Sequence, residues 1–120
     1  MLFEGDGGLL FHIQELETIK RQGFRILICA MNDGGYGSEF HKLRADGLDD
    51  SWAVFGRPAF ENIARGFGLR GHEIRDVSVI PKLFADFAAQ GESEIWNIQI
   101  SDQVTAPIMR QNIKRGHGNM

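Results

Sequence analysis

Three features of this 120-residue chain predict an α/β fold of three layers, α/β/α, with about four strands in one parallel sheet. Short apolar runs alternate with segments of helical period, and a glycine stands where most of the helical segments end. The run Ile26 to Met31 is continuously apolar, as expected of a strand covered on both faces. Two glycine turns, Gly5-Asp6-Gly7-Gly8 and Asn32-Asp33-Gly34-Gly35-Tyr36-Gly37, frame one helix and one strand between them.

Taken in order, Leu2-Phe3-Glu4 is the end of a strand that points into the first turn. Leu9 to Arg21 reads as a helix with Leu9, Ile13, Leu16 and Lys20 on one stripe, Phe11 and Ile19 widening its apolar face, and Gly23 as its stop. From Asn32 to Arg57 no period appears, so the sequence predicts a long loop able to close over a bound group, with Trp52 and Phe55 as its anchors. Pro58 suits the first turn of a helix, and Ala59 to Phe67 carries Phe60, Ile63, Ala64 and Phe67 at helical spacing. Arg70 to Ile74 is a short polar strand fit for a sheet edge, with His72 exposed on it. Ser78 and Pro81 open a helix through Ala89 with Leu83, Phe84, Phe87 and Ala88 inward and Gly91 as the stop, and Ile95 to Ile100 is the last strand. The division is a domain over 1–104 and a flexible basic tail over 105–120.

Composition narrows the function. A hydrophobic content of 42% suits one domain with a real core, and a net charge of −3 gives no electrostatic footprint for nucleic acid. Over residues 101–120, Arg110, Lys114 and Arg115 against Asp102 leave a positive balance, which reads first as a solvated segment. Cys29 is the single cysteine, so no disulfide forms within the chain, and its apolar setting predicts a reduced, buried thiol. No apolar run approaches the length of a membrane span and the N-terminus lacks a signal-like pattern, so the expected location is cytoplasmic.

The chemistry gathers in the two turns. Each places an Asp among glycines: the carboxylate offers a hard oxygen to a hard cation, and glycine lets an anion approach bare N–H groups. Gly8 to Met31 is 24 residues, room for a helix, a connection and a buried strand, so the second turn returns to the level of the first. Two carboxylates then converge at the end of adjacent parallel strands, where open α/β sheets bind their ligands. A helix starting after Gly8 directs its unpaired N–H groups toward a phosphate. Glu39, His41 and Lys42 share one helical turn, whose plain reading is a solvated surface; His41 is the best of the three for a substrate-facing role.

Gly5-Asp6-Gly7, the spacing, and Asn32-Asp33 together resemble the signature of thiamine diphosphate-dependent enzymes of the acetolactate synthase and benzoylformate decarboxylase branch. Ala59-Phe60 to Phe67-Gly68-Leu69-Arg70-Gly71 and the last strand extend the resemblance over most of the chain. It implies a Rossmann-like cofactor-binding fold with strand order first, second, fourth, third. It further implies that Asp6, Asp33 and the Gly35 carbonyl hold Mg²⁺, while Gly5, Gly7, Gly8, Asn32, Tyr36 and Gly37 surround the diphosphate. Asp33 departs from the commoner Asn and adds a negative charge there. Family members carry further elements before this point, so Met1 is expected to open inside a domain.

The resulting expectation is the thiamine diphosphate- and Mg²⁺-binding portion of a 2-keto acid decarboxylase or carboligase, a lyase or transferase. The resemblance implies a pyrimidine-binding domain of the same or a second subunit as partner, in a homodimer or homotetramer, and no catalytic residue within these 120 residues beyond His41 as a weak candidate. The alternative is a module without activity of its own. A nucleotide or flavin domain of another kind fits less well, because no Gly-x-Gly-x-x-Gly opens a helix.

Overall fold

The computed structural model describes residues 1–111. Its four strands are β1 (Leu2–Gly5), β2 (Leu27–Asn32), β3 (Arg70–Ile74) and β4 (Glu94–Gln99), all parallel in the order β1-β2-β4-β3. This is the expected class and order. Helices α1 (Asp6–Leu10), α2 (Glu15–Gln22), α3 (Gly37–Ala45), α4 (Phe60–Gly66) and α5 (Ile80–Gln90) connect them.

Alternation along the strands sorts the core into two layers. Ile28, Ala30 and Ile95 face Leu9 and Leu16 of the first two helices and Phe60 and Ala64 of α4. On the other side Leu27, Cys29, Ile74 and Trp96 meet Leu83 and Phe87 of α5. β2 is paired on both edges and covered on both faces, which explains its unbroken apolar run. Burial also pushes the Cys29 thiol above its ordinary range, as befits an inert core sulfur.

Several elements differ from the sequence expectation for definable reasons. The helix expected over Leu9 to Arg21 begins earlier, at Asp6, and tightens in the middle: Phe11, His12, Glu15 and Leu16 donate to carbonyls three residues back. Leu9 and Leu16 are buried, while Phe11, about 200° around an ideal helix from Leu9, is 74% exposed rather than part of the apolar face. The stretch expected as a loop from Asn32 to Arg57 contains α3 and a 3₁₀ turn at Ser51–Ala53. Phe40 is the one buried residue of α3, so this helix has no stripe for periodicity to reveal. Trp52 is 93% exposed and anchors nothing within the described residues; Ala53 is buried instead, and its carbonyl accepts the Tyr36 amide at 2.8 Å.

Pro58 lies ahead of α4, which starts at Phe60, and its carbonyl accepts from Asn32 and Asn97 side chains. Asp76 caps a short 3₁₀ turn through the Ser78 amide, and α5 follows from Ile80 with Phe84 and Ala88 on the solvent side. β3 is an edge strand as expected, yet His72 is only partly exposed: its Nε2 sits 3.5 Å from Glu94 Oε2. Glu94 is 1% exposed; Oε2 accepts from Trp96 Nε1 at 3.0 Å, and Oε1 lies 3.1 Å from Arg70 Nε without a directed hydrogen bond. At the sheet's other end the chain leaves β4 through Asp102, which pairs with Arg44 of α3. Residues 107–111 are helical, and residues 112–120 of the expected tail lie outside the described residues.

The tightest helix–sheet approach is at Gly71, where a Cβ would stand 2.3 Å from the Glu61 carbonyl oxygen and 2.6 Å from its Cα. Backbone cannot yield as a side chain can, so Gly71→Ala is expected to lower unfolding free energy by about 1–3 kcal/mol. Gly66→Ala, with open space around its Cβ, should be neutral or stabilising by up to about 1 kcal/mol. Urea midpoints of the two variants check the contrast.

Candidate functional site

β1 and β2 end at the same edge with Gly5 opposite Met31, so the two glycine turns leave the sheet side by side. Asp6 opens α1 and is 2% exposed. Its Oδ1 accepts from its neighbour Gly7 N at 2.8 Å, and its Oδ2 accepts from Gly34 N at 2.7 Å across the gap between the turns. The first turn therefore holds the second directly. Each carboxylate oxygen has further lone pairs available to a cation.

Asp33 follows β2 and is half-buried. Burial pushes its carboxyl above the ordinary carboxylate range, and the negative charge of Asp6 adds to the rise; N–H bonds from Gly35 and its own backbone, together with His41, oppose it. Both carboxylates border one cleft at this edge of the sheet.

Glycine is needed where the backbones crowd together. Gly34 has φ of 88°, a left-handed conformation that brings its N–H onto Asp6. A Cβ on Gly7 would strike the Tyr36 ring at 2.8 Å, and one on Gly37 would strike Asp33 Oδ2 at 2.6 Å. Tyr36 packs edge-on against Phe55, with ring centres 5.2 Å apart, and lies 6.2 Å from Phe11. Between the turns opens a cleft of about 270 Å³, bounded by residues 5–8, Met31, Asp33, residues 35–39 and Ile100. Of the sequence candidates, Asn32 stands apart: it is fully buried beneath the turn and does not line the cleft.

His41 is directed to the far side of α3, where its Nδ1 lies 3.2 Å from Thr105 Oγ1 and its ring 4.5 Å from that of Phe40. Lys42 and Glu39 both bond to Ser38 on the surface, and Glu39 also borders the cleft.

Sequence reasoning missed the support beneath the second turn. Asn32 Nδ2 donates to Asn97 Oδ1 at 2.8 Å and to the Pro58 carbonyl at 3.0 Å, and Asn97 Nδ2 donates to Glu61 Oε2 at 2.7 Å. Arg57 donates to the carbonyls of Asn32 and Ile100 and to Gln99 Oε1. These partners are separated by 25 residues or more in the chain, and no local pattern announces them.

Residues 1–95 match the family described as thiamine pyrophosphate enzyme, C-terminal TPP binding domain. The chain belongs to that family. Its fold is also that of a benzoylformate decarboxylase from Polynucleobacter necessarius, with TM-score 0.76 and 10% identity over 86% of this chain and 20% of that one. A thiamine diphosphate-dependent 4-hydroxybenzoylformate decarboxylase of Rhodococcus jostii RHA1 gives TM-score 0.66 and 24% identity over 82% of this chain and 19% of that one. The chain thus spans about a fifth of the length of either neighbour.

This TPP-binding domain has a donor set suited to a magnesium diphosphate. Among the described residues no three His, Cys, Asp or Glu side chains gather into a self-sufficient metal site. Two mutually repelling carboxylates border the cleft, and a hard cation that also takes phosphate oxygens would offset that repulsion. Among the described residues, no helix is long and apolar enough to cross a membrane.

The raised proton affinity of Asp33 has a definite sign. Because the fold disfavours the ionised form, the contribution of this group to stability is present in full below its ordinary value of 3.8 and is lost as pH rises through the folded value. In chelator-treated protein, Asp33→Asn is therefore expected to raise Tm at pH 7, with the gain shrinking toward zero as pH falls to about 4. Thermal scans across that range check it, and a gain independent of pH would exclude the burial and repulsion of an ionised Asp33 carboxylate as its source.

Proposed function

We propose that this domain anchors thiamine diphosphate through Mg²⁺ within an acetolactate synthase-like enzyme that decarboxylates a 2-keto acid, with or without joining the product to a second substrate. The observation that carries this reading is the convergence of Asp6 and Asp33 on one cleft at the ends of β1 and β2. In it, Asp6, Asp33 and the Gly35 carbonyl are the protein ligands of the cation. Gly5, Gly7, Gly8 and Gly37 keep the cleft walls free of side chains, and Tyr36 closes one flank against Gly7. Asn32 would serve from below, by holding the turn rather than touching the ligand.

Bound thiamine diphosphate supplies the carbon nucleophile for the keto group and the sink for the electron pair released on decarboxylation. The residues of this chain bind and orient; they do not move the reacting protons. Asp6 keeps its oxygens fixed through Gly7 and Gly34, so a cation meets a preset ligand rather than a mobile one. Activation of the cofactor would fall to a glutamate of a pyrimidine-binding domain, from the same or a second subunit of a dimer or tetramer.

A second reading has one observation in its favour. Both oxygens of Asp6 already accept N–H bonds, so the turns hold together without a cation, as they would in a module with structural or weak binding duties alone.

Titration calorimetry separates the two. The proposed function expects thiamine diphosphate to bind only when Mg²⁺ is present, and Asp6→Asn to weaken that binding by about tenfold or more. Absence of heat with and without metal supports the inert module. The purified chain alone is expected to release no CO₂ from any 2-keto acid; turnover by the isolated chain would refute the requirement for a second domain.

A further inference from the structure

We infer that Arg57 is a positioning residue for the cation site, setting the Asn32–Asp33 peptide so that Asp33 is held beside Asp6. The inference rests on the reading that Asp33 faces a metal ion. β2 ends at Asn32, and its carbonyl is the last acceptor of the ladder, taking the Ile100 N–H at 3.0 Å. Arg57 Nη1 donates to that same oxygen, and Nη2 reaches the Ile100 carbonyl at 2.9 Å. One guanidinium therefore closes the final rung between β2 and β4.

Because a peptide unit is planar, two donors on the Asn32 carbonyl fix the plane from which the Asp33 Cα departs. That plane sets the starting direction from which the Asp33 side chain reaches the cleft. The guanidinium is itself steered by Gln99 Oε1 at 3.0 Å. Its aliphatic stem lies against the left-handed turn, with Cγ 3.2 Å from where a Gly34 Cβ would stand. The Phe55 and Gly56 amides both donate to the Gly34 carbonyl at 3.0 Å, delivering the backbone of Arg57 to the same turn.

A tether serves here because the two carboxylates repel each other: the N–H bonds that Asp33 accepts from Gly35 and its own backbone lie within the turn and move with it, the Gly34–Asp6 bond holds the peptide after Asp33, and Arg57 holds the peptide before it. Charge-assisted bonds from a forked donor suit the task, since one planar group spans two carbonyls and an amide oxygen. A lysine gathers its three donors on one nitrogen, whereas these acceptors are served from two nitrogens of the fork. Arg57 makes none of its described bonds to a ligand carboxylate, so its action is through the backbone.

Two variants test this. Arg57→Met keeps the stem against Gly34 and removes the fork; Arg57→Lys keeps the charge. At saturating thiamine diphosphate, Arg57→Met is expected to raise the Kd for Mg²⁺ by about tenfold, with Arg57→Lys between it and the wild type. In an Asp33→Asn background the penalty should shrink, because the repulsion that the tether resists is gone. An unchanged Mg²⁺ affinity in folded Arg57→Met, or an equal penalty in both backgrounds, would overturn the inference.

If the wild type shows no metal-dependent binding, the proposed function fails, and the positioning role is then decided without ligand by amide exchange. Arg57→Met should speed exchange of the Gly34 amide, which bonds to Asp6, while the amides of Ile28 and Ala30 in β2 keep their protection. An unaltered Gly34 rate, or equal loss across β2, would refute it. Should Arg57→Met not fold, Arg57→Lys is read in the same way.

Discussion

A single hydrogen bond, from the Gly34 amide to Asp6 Oδ2, joins the two turns on which the site depends. Parallel pairing brings their bases level, but it does not decide how far apart their tips stand. The bond does, and it forces Asp33 into the neighbourhood of a second carboxylate against their repulsion. Much else in this region serves that contact: the left-handed backbone at Gly34, the bare Cα positions at Gly7 and Gly37, and the scaffold beneath Asn32.

The supports come from three separate parts of the chain. Arg57 arrives from the segment after α3, Asn97 and Gln99 from β4, and Glu61 from the first turn of α4. Asn32 Oδ1 is buried without a hydrogen-bond partner among the described residues, while its amide nitrogen serves two acceptors. Leaving such an oxygen unmet costs about 1–3 kcal/mol, a local expense accepted beside the site. A polar network of this kind specifies one arrangement of the turn where an apolar cluster of similar size would allow several.

The sheet and the ligand-facing residues could be read in the sequence because their signals are local. A continuous apolar run marked β2, isoleucines and a tryptophan marked β4, and glycines flanking Asp6 and Asp33 marked the turns. Helical period found α4 and the buried side of α5, though it placed Phe84 and Ala88 on the wrong side. Three features were illegible for physical reasons. α3 buries only Phe40 and is held by its ends, so no stripe betrays it. The tightening between α1 and α2 falls at residues 11–14, where neither proline nor glycine marks it in the sequence. Arg57 and Asn97 act over long stretches of chain, and residue type alone gives no sign of which carbonyl an arginine will find.

The far end of the sheet is built on a different plan. There Glu94 sits buried between Arg70, His72 and Trp96, and the Ser93 hydroxyl bridges the Ile26 amide and the Phe24 carbonyl. None of these groups borders the cleft. A change at Glu94 or Ser93 therefore loosens the sheet from the end opposite the cleft, and its harm is read in thermal resilience before it is read in the lining of the cleft.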